Sequence, residues 1–239
     1  MIKAAKAVIK KVLPKKYHYH LIRIKHRLTD GYSFRSYSQE GEDMILRRFF
    51  EKQDKGFYVD IGAHHPKRFS NTYYFYKNGW RGINIDAMPG GMRAFNKVRP
   101  RDINIEIPVS SRGEKLTYYA FSDPALNGFS EDLSRKRDAE GENKIIFTRE
   151  LQAMPLKEIL SQYLPQGTQI DFLSVDVEGM ELDVLQSSDW GRYKPRVVLV
   201  EQRMVSLEQS EASEIAQFMR SNGYLPYAKT ANSVFYLLS

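Results

Sequence analysis

The chain has 239 residues, of which 42% are hydrophobic, and it carries a formal net charge of +7. It contains no cysteine, which excludes disulfide bonds, thiolate metal sites and cysteine nucleophiles. No apolar run approaches the roughly 18 residues of a membrane span, and the length suits one domain with added segments.

The excess charge lies at the beginning of the chain. Residues 1–29 hold nine of the 36 Lys and Arg residues and no acid, so the remaining 27 basic residues face 29 acidic ones. Apolar residues spaced by three and four predict a basic amphipathic helical segment within residues 1–37, broken near Pro14. Residues 1–28 are a candidate for peripheral contact with anionic lipid; a helix packed on the domain or a flexible tail is the alternative. The slightly acidic remainder and the lack of a recognised motif argue against a nucleic-acid partner.

Strands and helices alternate over residues 38–239, which predicts an α/β domain. A helix is expected first, with Ser38 as its N-cap, and a single helix is expected over residues 208–222. Residues 110–156 interrupt the alternation, and we interpret them as a hairpin-like insertion with a mobile polar loop that faces the substrate. Five apolar strands end in an acidic residue: Asp60, Asp86, Glu106, Asp176 and Glu201. Because the carboxyl ends of parallel strands share one edge of a sheet, these acids predict one mouth lined with carboxylates.

The stretch from Ile170 to Glu181 carries two of the candidate groups. Asp176 and Glu178 are two residues apart, so they share a face if the strand continues to its end. The turn after the first strand holds one glycine, Gly62, where a dinucleotide fold would carry G-x-G-x-x-G. A ligand with a ribose and no phosphates, such as S-adenosylmethionine, suits this turn better than NAD.

Three segments in combination carry a specific resemblance. SQEGEDMIL, FYVDIGAHHPKRFSNTYYFYKNGWRGINIDAMP and IDFLSVDVEGMELDVL resemble the FkbM family of S-adenosylmethionine-dependent methyltransferases. The resemblance implies a class I methyltransferase (Rossmann-like) fold, a mostly parallel seven-stranded sheet with helices on both faces and an antiparallel last strand. It also implies methylation of hydroxyl oxygens on sugars, glycolipids or macrolides.

The resemblance also implies the binding residues. Asp60, Gly62 and Ala63 would contact the cofactor; Asp86 would bind the ribose hydroxyls beside Ala87, and Asp176 would face the methionine end and the acceptor. The family's second glycine is replaced in the run Gly62-Ala63-His64-His65-Pro66, and His64 is a further candidate for contact with the cofactor. Asn71 and Thr72 are the candidates for holding the methionine end. Each of these residues also has a purely structural alternative. Asp60 could orient its turn, and Asp86 could cap a helix. Glu178 could interact with the dipole of the helix that follows it, and the two histidines could form hydrogen bonds with backbone groups.

An alcohol acceptor must lose its proton as the new bond forms, so a base is needed. The catalytic candidates are Asp176, Glu178 and His65, with His64 as a further base. Magnesium bound by Asp176, Glu178 and Glu201 would acidify the hydroxyl instead. We do not favour this alternative, so no metal ligand is assigned.

These inferences predict a sugar O-methyltransferase that acts in the cytoplasm, peripherally at the inner membrane face. The acceptor would be a sugar or glycan that is lipid-linked or part of a cell-surface polysaccharide. Two alternatives remain: a nucleotide-sugar or dinucleotide enzyme on a similar sheet, and a non-catalytic scaffold bound to membranes. The sequence leaves the oligomeric state open.

Overall fold

The structure is a computed structural model that describes residues 33–203 and 206–239. Residues Ser36–Ser239 form one compact unit. The helices and the lipid contact predicted for residues 1–28 lie outside the described residues. Among the helices that are described, none combines the length and the apolar character that crossing a membrane would require.

A seven-stranded sheet forms the centre of the unit. Its strands are β1 (Phe57–Ile61), β2 (Arg81–Asp86), β3 (Ile103–Glu106), β6 (Phe172–Val175), β7 (Val197–Glu201), β8 (Tyr224–Lys229) and β9 (Ser233–Leu238). Their order is β3-β2-β1-β6-β7-β9-β8, and β9 runs antiparallel to both of its neighbours. The remaining two strands, β4 (Lys115–Phe121) and β5 (Ile145–Gln152), pair antiparallel in a separate sheet.

Helices cover both faces of the large sheet. They are α1 (Glu42–Phe49), α2 (Tyr73–Lys77), α3 (Met92–Val98), α4 (Glu131–Glu140), α5 (Leu156–Tyr163), α6 (Glu181–Gln186), α7 (Leu207–Ala212) and α8 (Glu214–Ser221). Successive strand residues point to opposite faces, so Tyr58 packs with α1 and α2 whereas Val59 packs with α5, α6 and α8. The predicted sheet, its antiparallel last strand and its two helical layers are therefore confirmed.

Three local predictions are wrong. The first helix begins at Glu42 after a left-handed Gly41, and Ser38 lies outside it; the Ser38 hydroxyl accepts the Asp43 backbone N–H at 3.2 Å. The predicted hairpin of the insertion is present, but its polar loop contains α4 and a 3₁₀ turn at Pro124–Leu126. The single helix expected over residues 208–222 is broken at Ser213, which is extended and caps α8.

Candidate active site

The carboxyl ends of β1, β2, β6 and β7 open onto a cavity of about 540 Å³. Parallel strands bring the loops that follow them to one edge of the sheet, where ligands of open α/β sheets bind. The insertion covers part of this edge and contributes Tyr118, Asn127 and Phe129 to the cavity wall. The volume lies within the range of about 300–1,000 Å³ that is typical of ligand sites.

Asp86 lies in the cavity wall at the end of β2. Its Oδ2 accepts the His64 backbone N–H at 2.7 Å, and its Oδ1 accepts the Met88 backbone N–H at 2.8 Å. A carboxylate has about four acceptor positions, so these bonds leave two for vicinal hydroxyl groups. Burial raises the pKa of Asp86. Next to it, Ala87, Met88 and Pro108 give an apolar wall suited to a flat heterocycle.

Gly62 lies where the backbone of the loop after β1 comes close to the backbone of the loop after β6, and only glycine fits this position. Its φ is +77°, and a Cβ at this position would lie 1.6 Å from the Asp176 carbonyl oxygen. The Asp176 backbone N–H also donates to the Ile61 carbonyl at 3.0 Å. Gly62 therefore permits a close approach between two protein backbones, and this approach places Asp176 beside the turn.

Asp60, Asn71 and Thr72 lie outside the cavity lining, behind the turn. The fully buried Thr72 hydroxyl donates to Asp60 at 2.7 Å and accepts from the Arg99 guanidinium at 3.0 Å. Asn71 donates to the Ser174 hydroxyl at 3.1 Å. These bonds tie the beginning of α2 to β1 and β6. They agree with the alternative in which Asp60 orients its turn; direct contact of the three residues with a cofactor stays a prediction.

Of the three residues that follow Gly62, only His64 lines the cavity. His64 lines the cavity with a φ of 51°, and burial lowers its pKa, so its ring is neutral at pH 7. Ala63 instead packs against Met92 and Phe95 of α3. His65 is exposed and lies outside the cavity lining; its Nδ1 accepts the backbone N–H groups of Lys67 and Arg68 at 3.1 and 2.9 Å. These bonds agree with the alternative in which the histidine bonds backbone groups, and the catalytic role of His65 stays a prediction.

Asp176 and Glu201 form a half-buried carboxyl pair at the cavity. One carboxylate oxygen from each of these two residues and one from Glu178 all lie within 4.8 Å of one another. Burial raises the pKa of Asp176 well above its ordinary value, and the Glu201 charge and a hydrogen bond to Glu201 raise it further. Burial and the nearby Glu178 charge raise the pKa of Glu201 to about 7. The pair therefore exchanges a proton with its surroundings near neutral pH.

Glu178 lines the same cavity, but its carboxylate is held by two arginines. Arg137 of α4 binds one oxygen at 2.5 Å, and Arg203 binds the other. Arg203 also reaches Glu201 at 2.8 Å. The condition under which Asp176 and Glu178 would share a strand face is not met, because β6 ends at Val175 and Glu178 adopts a left-handed φ of 60°.

The acid cluster has a spacing that a divalent cation accepts. The two arginines on Glu178 already supply the positive charge there, so we assign no metal ligand.

Sequence reasoning identified Glu201 as a strand-terminal acid but left it out of the catalytic candidates. Its position beside Asp176 follows from the adjacency of β6 and β7. The roles of Arg137 and Arg203 had no sequence signal, because neither belongs to a recognisable motif.

The strand order and the cavity at the carboxyl edge define a class I methyltransferase fold. Residues 60–226 match the model of the methyltransferase FkbM domain, and the chain therefore belongs to this family.

Solved structures that the comparison matches include a methyltransferase from Geobacter sulfurreducens, with 10% identity, a TM-score of 0.44, and coverage of 99% of this chain and 97% of that chain. Another is a precorrin-6y C5,15-methyltransferase from Geobacter metallireducens GS-15, with 14% identity, a TM-score of 0.42 and coverage of 82% and 87%. A TehB-like SAM-dependent methyltransferase from Corynebacterium glutamicum has 10% identity, a TM-score of 0.40 and coverage of 94% and 100%. No curated protein matches the chain.

The cavity residues fit S-adenosylmethionine. The free acceptor positions of Asp86 suit ribose hydroxyls, the apolar wall beside it suits adenine, and the acids near Gly62 suit the positively charged end. Membership in the family favours methyl transfer over the dinucleotide alternative.

Proposed function

We propose that the chain is an S-adenosylmethionine-dependent O-methyltransferase that acts on a hydroxyl group of a sugar or glycan. The observation that carries the proposal is the Asp176–Glu201 pair, which lines the cavity beside the Gly62 turn. A general base is most effective when its pKa lies near the operating pH, and the pKa of Glu201 is raised to about 7.

Each end of the cavity has residues suited to one part of the reaction. Asp86 would hold the ribose hydroxyls, with Ala87 and Met88 beside the adenine. The bound cofactor would supply the sulfonium methyl group. The Asp176–Glu201 pair would orient the acceptor hydroxyl and take its proton as the new C–O bond forms and the C–S bond breaks. Good alignment of the reacting groups carries a large part of the rate in such displacements.

The insertion supports a carbohydrate as acceptor. Asn127 donates to the Tyr118 hydroxyl at 2.7 Å and accepts the Phe121 backbone N–H at 2.8 Å, which holds this loop at the cavity. Phe129 and Asp123 line the same wall. Aromatic faces with polar groups between them offer stacking and hydrogen bonding to a sugar ring.

Calorimetry followed by methyl transfer tests the proposal. We expect the protein to bind S-adenosylhomocysteine and not NAD. With tritiated S-adenosylmethionine, we expect label to appear on members of a panel of nitrophenyl hexosides and deoxyhexosides, or on a lipid-linked glycan extract. Label on a protein or nucleic-acid fraction alone, with none on any sugar, would contradict the proposed acceptor class.

We further propose that residues 1–28 bring the enzyme to an anionic membrane surface at the cytoplasmic face, where a lipid-linked acceptor lies. The support is the concentration of nine basic residues and no acid within residues 1–29. Flotation with vesicles containing phosphatidylglycerol tests this. Binding by a chain that lacks residues 1–28, equal to that of the full chain, would refute it.

A further inference from the structure

The Ser38–Asp43 segment has no role in the reaction as proposed above, although it belongs to one of the three stretches that carry the family resemblance. Its acidic residues bind other parts of the unit. The Asp43 carboxylate accepts the Ser36 hydroxyl at 2.6 Å, the Tyr37 backbone N–H at 2.7 Å and the Ser38 hydroxyl at 2.9 Å. These bonds fix the chain just before Gln39.

Glu40 fixes the chain just after Gln39. Its carboxylate accepts both the backbone N–H and the side-chain amide of Asn232, at 2.9 and 2.5 Å. Asn232 lies in the turn between β8 and β9, and its carbonyl accepts the Gln202 backbone N–H at 2.7 Å. The segment is therefore attached to the sheet edge next to β7.

Gln39 lies between these two attachments and lines the cavity. Its side chain is exposed, and within the described part of the chain no hydrogen bond or ion pair is found for its amide. The amides of Asn127 and Asn232, which line the same cavity, are in contrast engaged with other protein groups. Gln39 thus presents a donor and an acceptor to the cavity on a backbone that is held on both sides.

The strand order indicates which end of the cavity Gln39 faces. Going along the sheet edge, Asp86 ends β2, Gly62 follows β1, Asp176 follows β6 and Glu201 ends β7, with the Asn232 turn next at β9. If the ribose binds at Asp86, the methyl group reaches the acid pair, and the acceptor occupies the region beyond it. Glu40 attaches Gln39 to the Asn232 turn at this far end.

We propose that Gln39 binds the acceptor sugar, its amide donating to one hydroxyl group and accepting from a neighbouring one. This inference rests on the proposed function. A primary amide matches a pair of vicinal hydroxyls because it offers both a donor and an acceptor in one plane. Gln39 is then a residue that positions the acceptor and selects among sugars, and it takes no part in proton transfer.

Gln39→Ala in the full chain tests the inference, with the best-methylated nitrophenyl glycoside of the panel as probe. Loss of uncharged hydrogen bonds should raise the apparent KM for the glycoside by roughly three- to tenfold. The affinity for S-adenosylhomocysteine and the thermal midpoint should stay at the wild-type values. Gln162→Ala, at an exposed position of α5, is the matched control and should change none of the three quantities.

Glu40→Ala separates a structural effect from a binding effect. It removes the Asn232 contacts, so it should lower the thermal midpoint, whereas Gln39→Ala should not. An unchanged glycoside KM in Gln39→Ala would refute the inference, and so would a loss confined to S-adenosylhomocysteine affinity, which would assign Gln39 to the cofactor. A wild-type protein that binds S-adenosylhomocysteine yet methylates no sugar contradicts the proposed function itself, and the role of Gln39 then falls with it.

Discussion

Asp176 and Glu201 illustrate at the residue scale how burial changes ordinary carboxyl groups. Because burial and neighbouring acids raise the pKa of Glu201 to about 7, deprotonation of the pair should control the rate near neutral pH. We predict that kcat rises with pH through this region in the wild type. Glu201→Gln should lower kcat by roughly 100-fold or more and remove this limb of the profile. A pH–rate series on the best glycoside measures both, and an unchanged limb in the variant would exclude Glu201 as a base.

Substitution of Gly62 distinguishes the effect of a steric clash with Asp176 from the effect of a strained left-handed backbone. Gly62→Ala would force a Cβ into the Asp176 carbonyl, whereas Gly167→Ala, at a similar φ of +72°, meets no atom within 4 Å. Both variants should lose about 1–3 kcal/mol of unfolding free energy from the left-handed backbone, and Gly62→Ala should lose more. Only Gly62→Ala should also lose affinity for S-adenosylhomocysteine. Thermal melts and calorimetry give the two readouts; equal losses of affinity in both variants would contradict the steric argument.

The acids of the site could be predicted from the sequence because each follows an apolar strand, and strand ends in a parallel sheet converge. Their partners could not be predicted. Arg137 is 41 positions from Glu178 along the chain, and their contact depends on how the insertion folds over the sheet. The predicted role of Gly62 as an approach point for a ligand missed its contact with the Asp176 backbone for the same reason.

At the scale of elements, α4 is held to the sheet edge through Arg137 and Glu178, whose side chains are only 14% and 11% exposed. Arg137→Met should release this contact and speed amide hydrogen exchange over residues 131–140. Arg135→Met on the same helix removes a solvent-screened, exposed pair with Glu131 and should change exchange little. Hydrogen-exchange mass spectrometry compares them. Equal protection of α4 in the wild type and Arg137→Met would show that other contacts hold the helix.

Helices and strands with a clear pattern of apolar residues could be predicted from the sequence, and those without one could not. Strands β1, β2, β6 and β7 were predictable because buried apolar runs end at an acid or a turn. Helix α4 was missed because EDLSRKRDAE has almost no apolar periodicity, and Ser134 is its one buried residue. Its signals were local: Ser130 as N-cap, followed by two acids in the first turn.

At the scale of the whole molecule, the site lowers the stability of the domain at neutral and alkaline pH. Burial raises the pKa of Asp60, Asp86, Asp176, Glu181 and Glu201. A folded chain whose acids have raised pKa values binds more protons than the unfolded chain in the interval between the two pKa values. Stability must therefore fall as the pH rises through that interval.

Glu201→Gln tests this consequence, because glutamine resembles the protonated acid and does not titrate. A shift of the Glu201 pKa from 4.5 to about 7 lowers the free energy of unfolding by at most about 3 kcal/mol. This loss is complete once the pH exceeds the pKa of the folded state. The variant should match the wild type near about pH 4, below the unfolded pKa, and melt several degrees higher near about pH 8. Glu142→Gln, at an exposed loop position, is the control and should follow the wild type throughout. The same substitution that removes the proposed base should thus stabilise the fold, and a melting difference that stays constant with pH would contradict the assignment of a raised pKa to Glu201.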